Sequence, residues 1–225
     1  MDWSSGWYLY SFFGNTGMTV GLNENGLTNF CNWNSTENSI KGVDVAEAML
    51  RIAASSGFKS SSDFPKEAKK KGIAIVSGVW DINAIKAAYG EDYGAAKLPT
   101  YTCAGQQVQL SSYTGYRLLG VNSYSPYREW AEKLADYLTN EDNQNLRFER
   151  ADRGPSNKNA ASSEAVGEVP AIKAVIAQSE FGSLQKIGQK YWTPTTEFGN
   201  TMAAGNPNKI PLQDLLDTMV SAITE

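Results

Sequence analysis

Gly72-Ile73-Ala74-Ile75-Val76-Ser77-Gly78-Val79-Trp80-Asp81-Ile82-Asn83 is the stretch on which the reading of this chain turns. The β-rich run 73–76 predicts a short buried strand, and Ser77-Gly78 predicts a tight backbone turn. From Asp81 a helix is expected to run to Tyr89 and end at Gly90. A strand that empties into a glycine turn and a helix is the repeating unit of an open α/β sheet. Such sheets bind ligands just beyond the carboxyl ends of their strands. At that place Trp80 offers a flat apolar face and Asp81 a hydrogen-bond acceptor. A sugar ring needs both, because its C–H faces rest on an aromatic and each desolvated hydroxyl must find a partner. The same residues fit a plainer role equally well by spacing, with Trp80 filling core and Asp81 capping the helix.

Outward from this stretch, short strands alternate with helices, which places the chain in the α/β class. Met18-Thr19-Val20 and Leu27-Thr28-Asn29-Phe30 flank Asn25-Gly26, a type I′ turn signal, and predict a β-hairpin. Val45, Met49, Ile52 and Ala53 share a helical face that ends at Gly57, and the run Lys69-Lys70-Lys71 reads as a solvated helix end. Residues 95–99 predict a second short strand, and 101–121 an extended region broken by a Ser-Ser-Tyr turn. Ser125-Pro126 predicts a helix start with Trp130, Leu134, Tyr137 and Leu138 as its buried stripe. Thr139 opens the next helix, with Asp142 three residues on, and that helix stops by Gly154-Pro155. Another helix runs from Pro170 to Gly182, and the last is marked by Leu212, Leu215, Leu216, Met219, Val220 and Ile223 behind Pro211.

With 225 residues the chain is one domain or two small ones, and 41% apolar with 20% charged residues is an ordinary globular balance. A net charge of −4 argues against nucleic acid and anionic membrane surfaces as partners. No apolar run is long enough to span a bilayer. The absence of histidine excludes His-dependent triads, imidazole acid–base chemistry and His metal sites. Six tryptophans and eleven tyrosines favour a protein that recognises a neutral polar ligand on aromatic faces, with no metal or cofactor expected. Cys31 and Cys103 have no metal spacing, and a disulfide and two separate thiols both remain open.

Two further aromatic clusters are candidates. Tyr191-Trp192-Thr193-Pro194 enters a helix, which puts Trp192 at its edge. Trp7-Tyr8-Leu9-Tyr10 carries too many adjacent rings for all to face one core. For an enzyme, a carboxylate pair is the remaining option, with Asp81 and Glu197 as acid and base of a sugar-acting hydrolase. The chain opens on its aromatic stretch without a basic or apolar leader, and so reads as a fragment or expressed subdomain without a signal peptide.

The run from Lys71 through Asp81, continuing over Tyr93-Gly94-Ala95-Ala96-Lys97-Leu98-Pro99-Thr100, resembles the extracellular solute-binding proteins of carbohydrate ABC transporters. The likeness is to the maltose/maltodextrin-binding branch, whose pattern is a strand, G-x-W, a helix, and a strand ending in LP. It continues through Ser111-Ser112-Tyr113-Thr114-Gly115-Tyr116, Gly120-Val121-Asn122-Ser123-Tyr124-Ser125-Pro126 and Arg153-Gly154-Pro155-Ser156-Asn157. The resemblance implies a periplasmic-binding-protein-like (type II) fold, truncated to the C-terminal lobe plus the late segment of the N-terminal lobe. Residues 1–100 and 181–225 are then the C-terminal lobe, and 101–180 a hinge-crossing segment of the incomplete N-terminal lobe.

What the resemblance implies for function is binding, not catalysis. An oligosaccharide would be held between two closing lobes and handed to an ABC permease, outside the cytoplasm, in the periplasm or on a cell-surface lipoprotein. Trp80 and Trp192 match sugar-stacking tryptophans of the family, and Trp7 and Tyr8 lie near its aromatic contacts. Thr196 stands near the place where the maltose-binding branch carries an arginine. With the first part of the family's pattern missing, weakened binding is expected, and apolar surface in 101–180 is expected to promote self-association. An interaction fragment without a ligand of its own is the remaining alternative.

Overall fold

The structure is a computed structural model that describes residues 1–63 and 72–225; the lysine run 69–71 lies outside them. In chain order its elements are α1 (Gly6–Phe13), β1 (Val20–Leu22), β2 (Asn29–Cys31), α2 (Gly42–Ala53), α3 (Ile82–Tyr89), β3 (Thr100–Cys103), β4 (Gln106–Gln109) and β5 (Ser112–Thr114). There follow α4 (Arg128–Thr139), α5 (Glu141–Ala151), α6 (Lys158–Ala161), α7 (Glu164–Glu168), α8 (Pro170–Ser179), β6 (Gly182–Leu184), α9 (Trp192–Ala203) and α10 (Leu212–Thr224). The chain folds as two compact units. The first joins Met1–Val76, Leu98–Gly115 and Gln178–Glu225, and the second joins Ser77–Lys97 and Tyr116–Ala177. The chain crosses between the units four times, after Val76, Lys97, Gly115 and Ala177.

The first unit holds an aromatic core. Trp33, fully buried, stacks on Phe13 of α1 with centroids 4.3 Å apart and planes 7° from parallel. Its edge meets Tyr191 at 5.8 Å and its face leans on Tyr10 at 6.3 Å. Tyr10 in turn stacks on Tyr113 of β5 at 3.9 Å. Aromatic pairs of this kind add about 0.5–1.5 kcal/mol each beyond the area they bury. Around them close the apolar faces of α2 (Val45, Ala46, Met49) and α10 (Leu216, Met219, Val220, Ile223), whose spacings follow the helical period. Buried Asn29 ties β2 to the end of α10 and to the 188 loop, donating to the Ile223 carbonyl at 3.1 Å and accepting from Gly188 N at 2.6 Å.

Its ladders are short: β1–β2 and β3–β4 are antiparallel, and β5–β6 is parallel with Tyr113 opposite Ser183. The predicted hairpin is present, but its connection is longer than a type I′ pair. Asn23 N donates to the Thr28 carbonyl, Asn25 Oδ1 accepts from Leu27 N and Thr28 N, and Gly26 supplies φ +66°.

The second unit is helical among its described residues. Asn140 caps α5 by accepting from Asn143 N at 2.9 Å. The α5 helix ends at Asp152 in the left-handed region, where the carboxylate pairs with Lys86 of α3 at 2.8 Å. Few of its apolar side chains are covered; Ile82, Ala160, Val166 and Ile172 are.

Several expectations are corrected. Residues 73–76 and 95–99 form no strand, because among the described residues nothing supplies them a ladder, and Ile73 is fully exposed. The Ser-Ser-Tyr segment is not a turn; Ser112 and Tyr113 belong to β5. The helix after Ser125-Pro126 starts at Arg128, and its stripe Trp130, Leu134, Tyr137 and Leu138 is exposed, not buried. Helical spacing identifies one face but not whether anything packs on it. Thr139 ends α4, and its neighbour Asn140 is the cap of α5. Gly57 lies beyond the α2 cap at Ala54, and Gly182 is a strand residue. Cys31 and Cys103 are free thiols, Cys103 fully buried.

Two outcomes test this packing. A Cβ on Gly199 of α9 would lie 1.8 Å from the Trp3 carbonyl oxygen, so Gly199→Ala is expected to cost about 1–3 kcal/mol of stability. An unchanged urea midpoint contradicts that contact. Burial pushes the Cys31 thiol up to about 12 and raises Cys103 as well, which disfavours both thiolates. At pH 8 a disulfide reagent is expected to label Cys31 on the order of a thousandfold more slowly than a free cysteine, and Cys103 more slowly as well. Denaturant should restore two fast-reacting thiols; fast labelling of the native chain contradicts the burial.

Candidate functional site

The candidate residues fall in both units. In the second, Trp80 lies in the 3₁₀ turn Val79–Asp81 that leads into α3, and 47% of it is exposed. It is therefore not core. A Cβ on Gly78 would stand 2.3 Å from the far ring carbons of Trp80, so the indole folds back over the bare glycine Cα. The ring is thereby seated against backbone, which limits its freedom while leaving surface open. Asp81 occupies the position just before α3 but makes no side-chain cap; its carboxylate accepts a hydrogen bond from the Ser77 hydroxyl. The sequence predicts a tight turn at Ser77-Gly78; Gly78 is instead extended, at φ −130° and ψ 179°, and its part is to seat the indole.

In the first unit, Trp7 and Tyr8 sit in the opening turn of α1, and Trp192 is the first residue of α9. All three are half-buried. Trp7 contacts Tyr113 at 5.7 Å, Tyr113 meets Tyr191 edge-on at 6.2 Å, and Tyr191 meets Trp192 edge-on at 5.2 Å. A continuous chain of rings thus links the two candidate indoles of this unit, each anchored to the core on one side. Burial raises the Tyr191 phenol well above its ordinary value, so it stays neutral, and its hydroxyl donates a hydrogen bond to the Gly6 carbonyl at 2.8 Å. Thr196 is turned inward and donates to the Ser4 carbonyl at 2.8 Å. The inward contacts of Tyr113, Tyr191 and Thr196 are not legible in the sequence, since they depend on partners far apart along the chain.

Chemically, these groups offer aromatic faces and neutral or acceptor hydrogen bonding. Among the described residues no cluster of His, Cys, Asp and Glu is arranged to hold a metal ion. Glu197, proposed by sequence as half of a catalytic pair, is an exposed residue of α9. A groove of about 640 Å³ in the first unit is lined by Asp2, Ser4, Phe58, Ser60 and Asn200, among others. It includes none of the candidate rings, and Phe58 is engaged with Trp3 at 4.4 Å, so size alone does not make it the site.

The family model of bacterial extracellular solute-binding proteins matches residues 41–174. A galactooligosaccharide-binding protein of Bacillus subtilis (strain 168) is 32% identical over 139 residues, which are 60% of this chain and 32% of that protein. A protein solved with acarbose has a TM-score of 0.87 and 26% identity over the whole of this chain and 61% of its own. A maltodextrin-binding protein from L. casei BL23, solved without ligand, has a TM-score of 0.82 at 21% identity and the same coverage. The chain thus spans about a third of the length of the curated relative and about three fifths of these solved ones. The shared fold is periplasmic-binding-protein-like, type II, and the family is one of solute-binding proteins, not enzymes. With the family model matching more than half of its residues, this chain belongs to the bacterial extracellular solute-binding proteins.

Proposed function

We propose that the chain is the carbohydrate-binding part of an ABC importer's receptor, taking an oligosaccharide of the malto- or galacto-oligosaccharide kind outside the cytoplasm. The observation that carries this is Trp80: a large apolar ring 47% exposed, seated on Gly78 at the mouth of a helix, next to an acceptor at Asp81. Water would not leave such a ring bare without cost, whereas a pyranose face covers it. Trp192, Trp7 and Tyr8 supply further half-open rings, and Asp81 takes a sugar hydroxyl. The relatives that bind galactooligosaccharide and acarbose support the ligand class. An ABC permease is the partner that would receive the sugar. Affinity is expected to be modest in a chain that spans part of its relatives' length, and binding involves no chemical step.

Titration with maltotriose and with a galacto-oligosaccharide, followed by tryptophan fluorescence, tests the reading. Saturable quenching without product is expected. Trp80→Ala should weaken binding about tenfold or more, because roughly 100 Å² of ring face at ~25 cal/mol/Å² is lost. No quenching up to millimolar sugar, or an unaffected Trp80→Ala, overturns it.

The apolar face of the second unit supports a further reading, self-association. Trp130, Leu134, Tyr137 and Leu138 form one stripe of α4 behind Tyr127 at its N-cap, and Leu119, Val121, Ala131, Leu134 and Leu138 line a groove of about 220 Å³. Tyr116, Tyr124, Tyr127, Trp130 and Tyr137 are 61–93% exposed. At roughly 200 Å² per ring, Tyr127, Trp130 and Tyr137 present about 400 Å² along the stripe, about half of one side of a standard interface. Pairing of two copies through this stripe is expected to make molar mass by light scattering rise with concentration. Leu134→Asp should restore a monomer, and a strict monomer at high concentration for the unaltered chain contradicts the pairing.

A further inference from the structure

The N-terminal segment and α9 are joined by contacts that bracket the candidate rings of the first unit. Thr196 Oγ1 donates to the Ser4 carbonyl and Tyr191 Oη to the Gly6 carbonyl, both at 2.8 Å. The Ser4 carbonyl precedes the opening turn of α1, so no helical bond of α1 uses it. Thr195 Oγ1 is held in turn by the Tyr191 and Trp192 carbonyls, at 2.8 and 3.0 Å. Gly6 lets this happen: a Cβ there would stand 2.4 Å from Thr195 Oγ1 and 2.7 Å from the Tyr191 ring. Trp3, Ser4 and Gly6 thus lie in order along Gly199, Thr196 and Thr195 of α9. Trp7 and Tyr8 follow directly on one strand of this clamp, and Trp192 lies between Tyr191 and Thr196 on the other.

We propose that Thr196 and Tyr191 are positioning residues for carbohydrate binding: their hydroxyls fix the spacing of Trp7 and Tyr8 from Trp192, and so the fit of a rigid sugar against those rings. This rests on the carbohydrate reading above. Rings on two separate helices hold one geometry only if the helices cannot slide past each other. The two hydroxyl bonds cross the helix pair within one turn of each ring. Nothing in this role requires Thr196 to touch the ligand.

Thr196→Val keeps the shape of the side chain and removes the donor. In the 225-residue chain it is expected to weaken maltotriose or galacto-oligosaccharide binding by about two- to tenfold, the span of one neutral hydrogen bond. Thr196→Ser, which keeps the hydroxyl, should restore it. In a Trp192→Ala background the Thr196→Val penalty should largely vanish, a coupling that a general loss of stability does not produce. Unaltered affinity, failure of serine to restore it, or an undiminished penalty in the Trp192→Ala background overturns the assignment. If the unaltered chain binds neither sugar, the carbohydrate reading fails first. The clamp is then judged by near-ultraviolet circular dichroism, where Thr196→Val should change the indole bands, and unchanged bands overturn it.

Discussion

The face-to-face packing of Trp33 on Phe13 is the constraint from which the first unit is built. Trp33 comes from the loop after β2 and Phe13 from the last turn of α1, so their contact fixes a helix against a hairpin. Tyr10, Tyr113 and Tyr191 extend the same cluster to β5 and to the start of α9. Removing the central indole costs about 3–5 kcal/mol in a core of this kind, a large share of a domain's net stability. The half-buried rings Trp7 and Trp192 are attached to this cluster, Trp7 tilted against Tyr113 and Trp192 edge-on to Tyr191. Their orientation is therefore inherited from the core and not from flexible loops.

The six tryptophans divide by environment, and the division carries the functional account. Trp3 and Trp33 are buried, Trp7 and Trp192 are half-buried on the core's rim, and Trp80 is open on its glycine seat. Trp130 is open too, but on an apolar helical stripe with Lys133 at 5.0 Å over its ring, a setting suited to protein surface and not to a hydroxyl-rich ligand. One residue type thus serves as core, as candidate sugar platform and as exposed helical surface. What separates the roles is the neighbourhood: rings on all sides, rings on one side with polar atoms near, or aliphatics along a helix.

Much of the helical skeleton was legible in the sequence because it rests on local periodicity. The α10 stripe from Leu212 to Ile223 and the α3 helix ending at Gly90 are written in spacing and caps. The 73–76 and 95–99 segments have strand composition, yet a strand exists only where a neighbour completes its hydrogen bonds, and composition does not say where neighbours are. The α4 stripe failed in the same way: Trp130 and Leu134 share a face, but burial of that face is a tertiary fact. At the candidate site, Trp80 and Trp192 stood out as large rings beside helix starts. The Gly78 seat and the Thr196–Ser4 bond did not, because one depends on how an indole folds back and the other joins residues 192 positions apart.

The most direct test of the account follows the six indole N–H resonances by nuclear magnetic resonance while an oligosaccharide is added. Trp80, Trp7 and Trp192 are expected to shift in a saturable manner, while Trp3, Trp33 and Trp130 stay in place. Stationary signals for Trp80 and Trp192, or shifts confined to the buried pair and Trp130, would contradict the claim that the open rings of Trp80 and Trp192 contact the sugar.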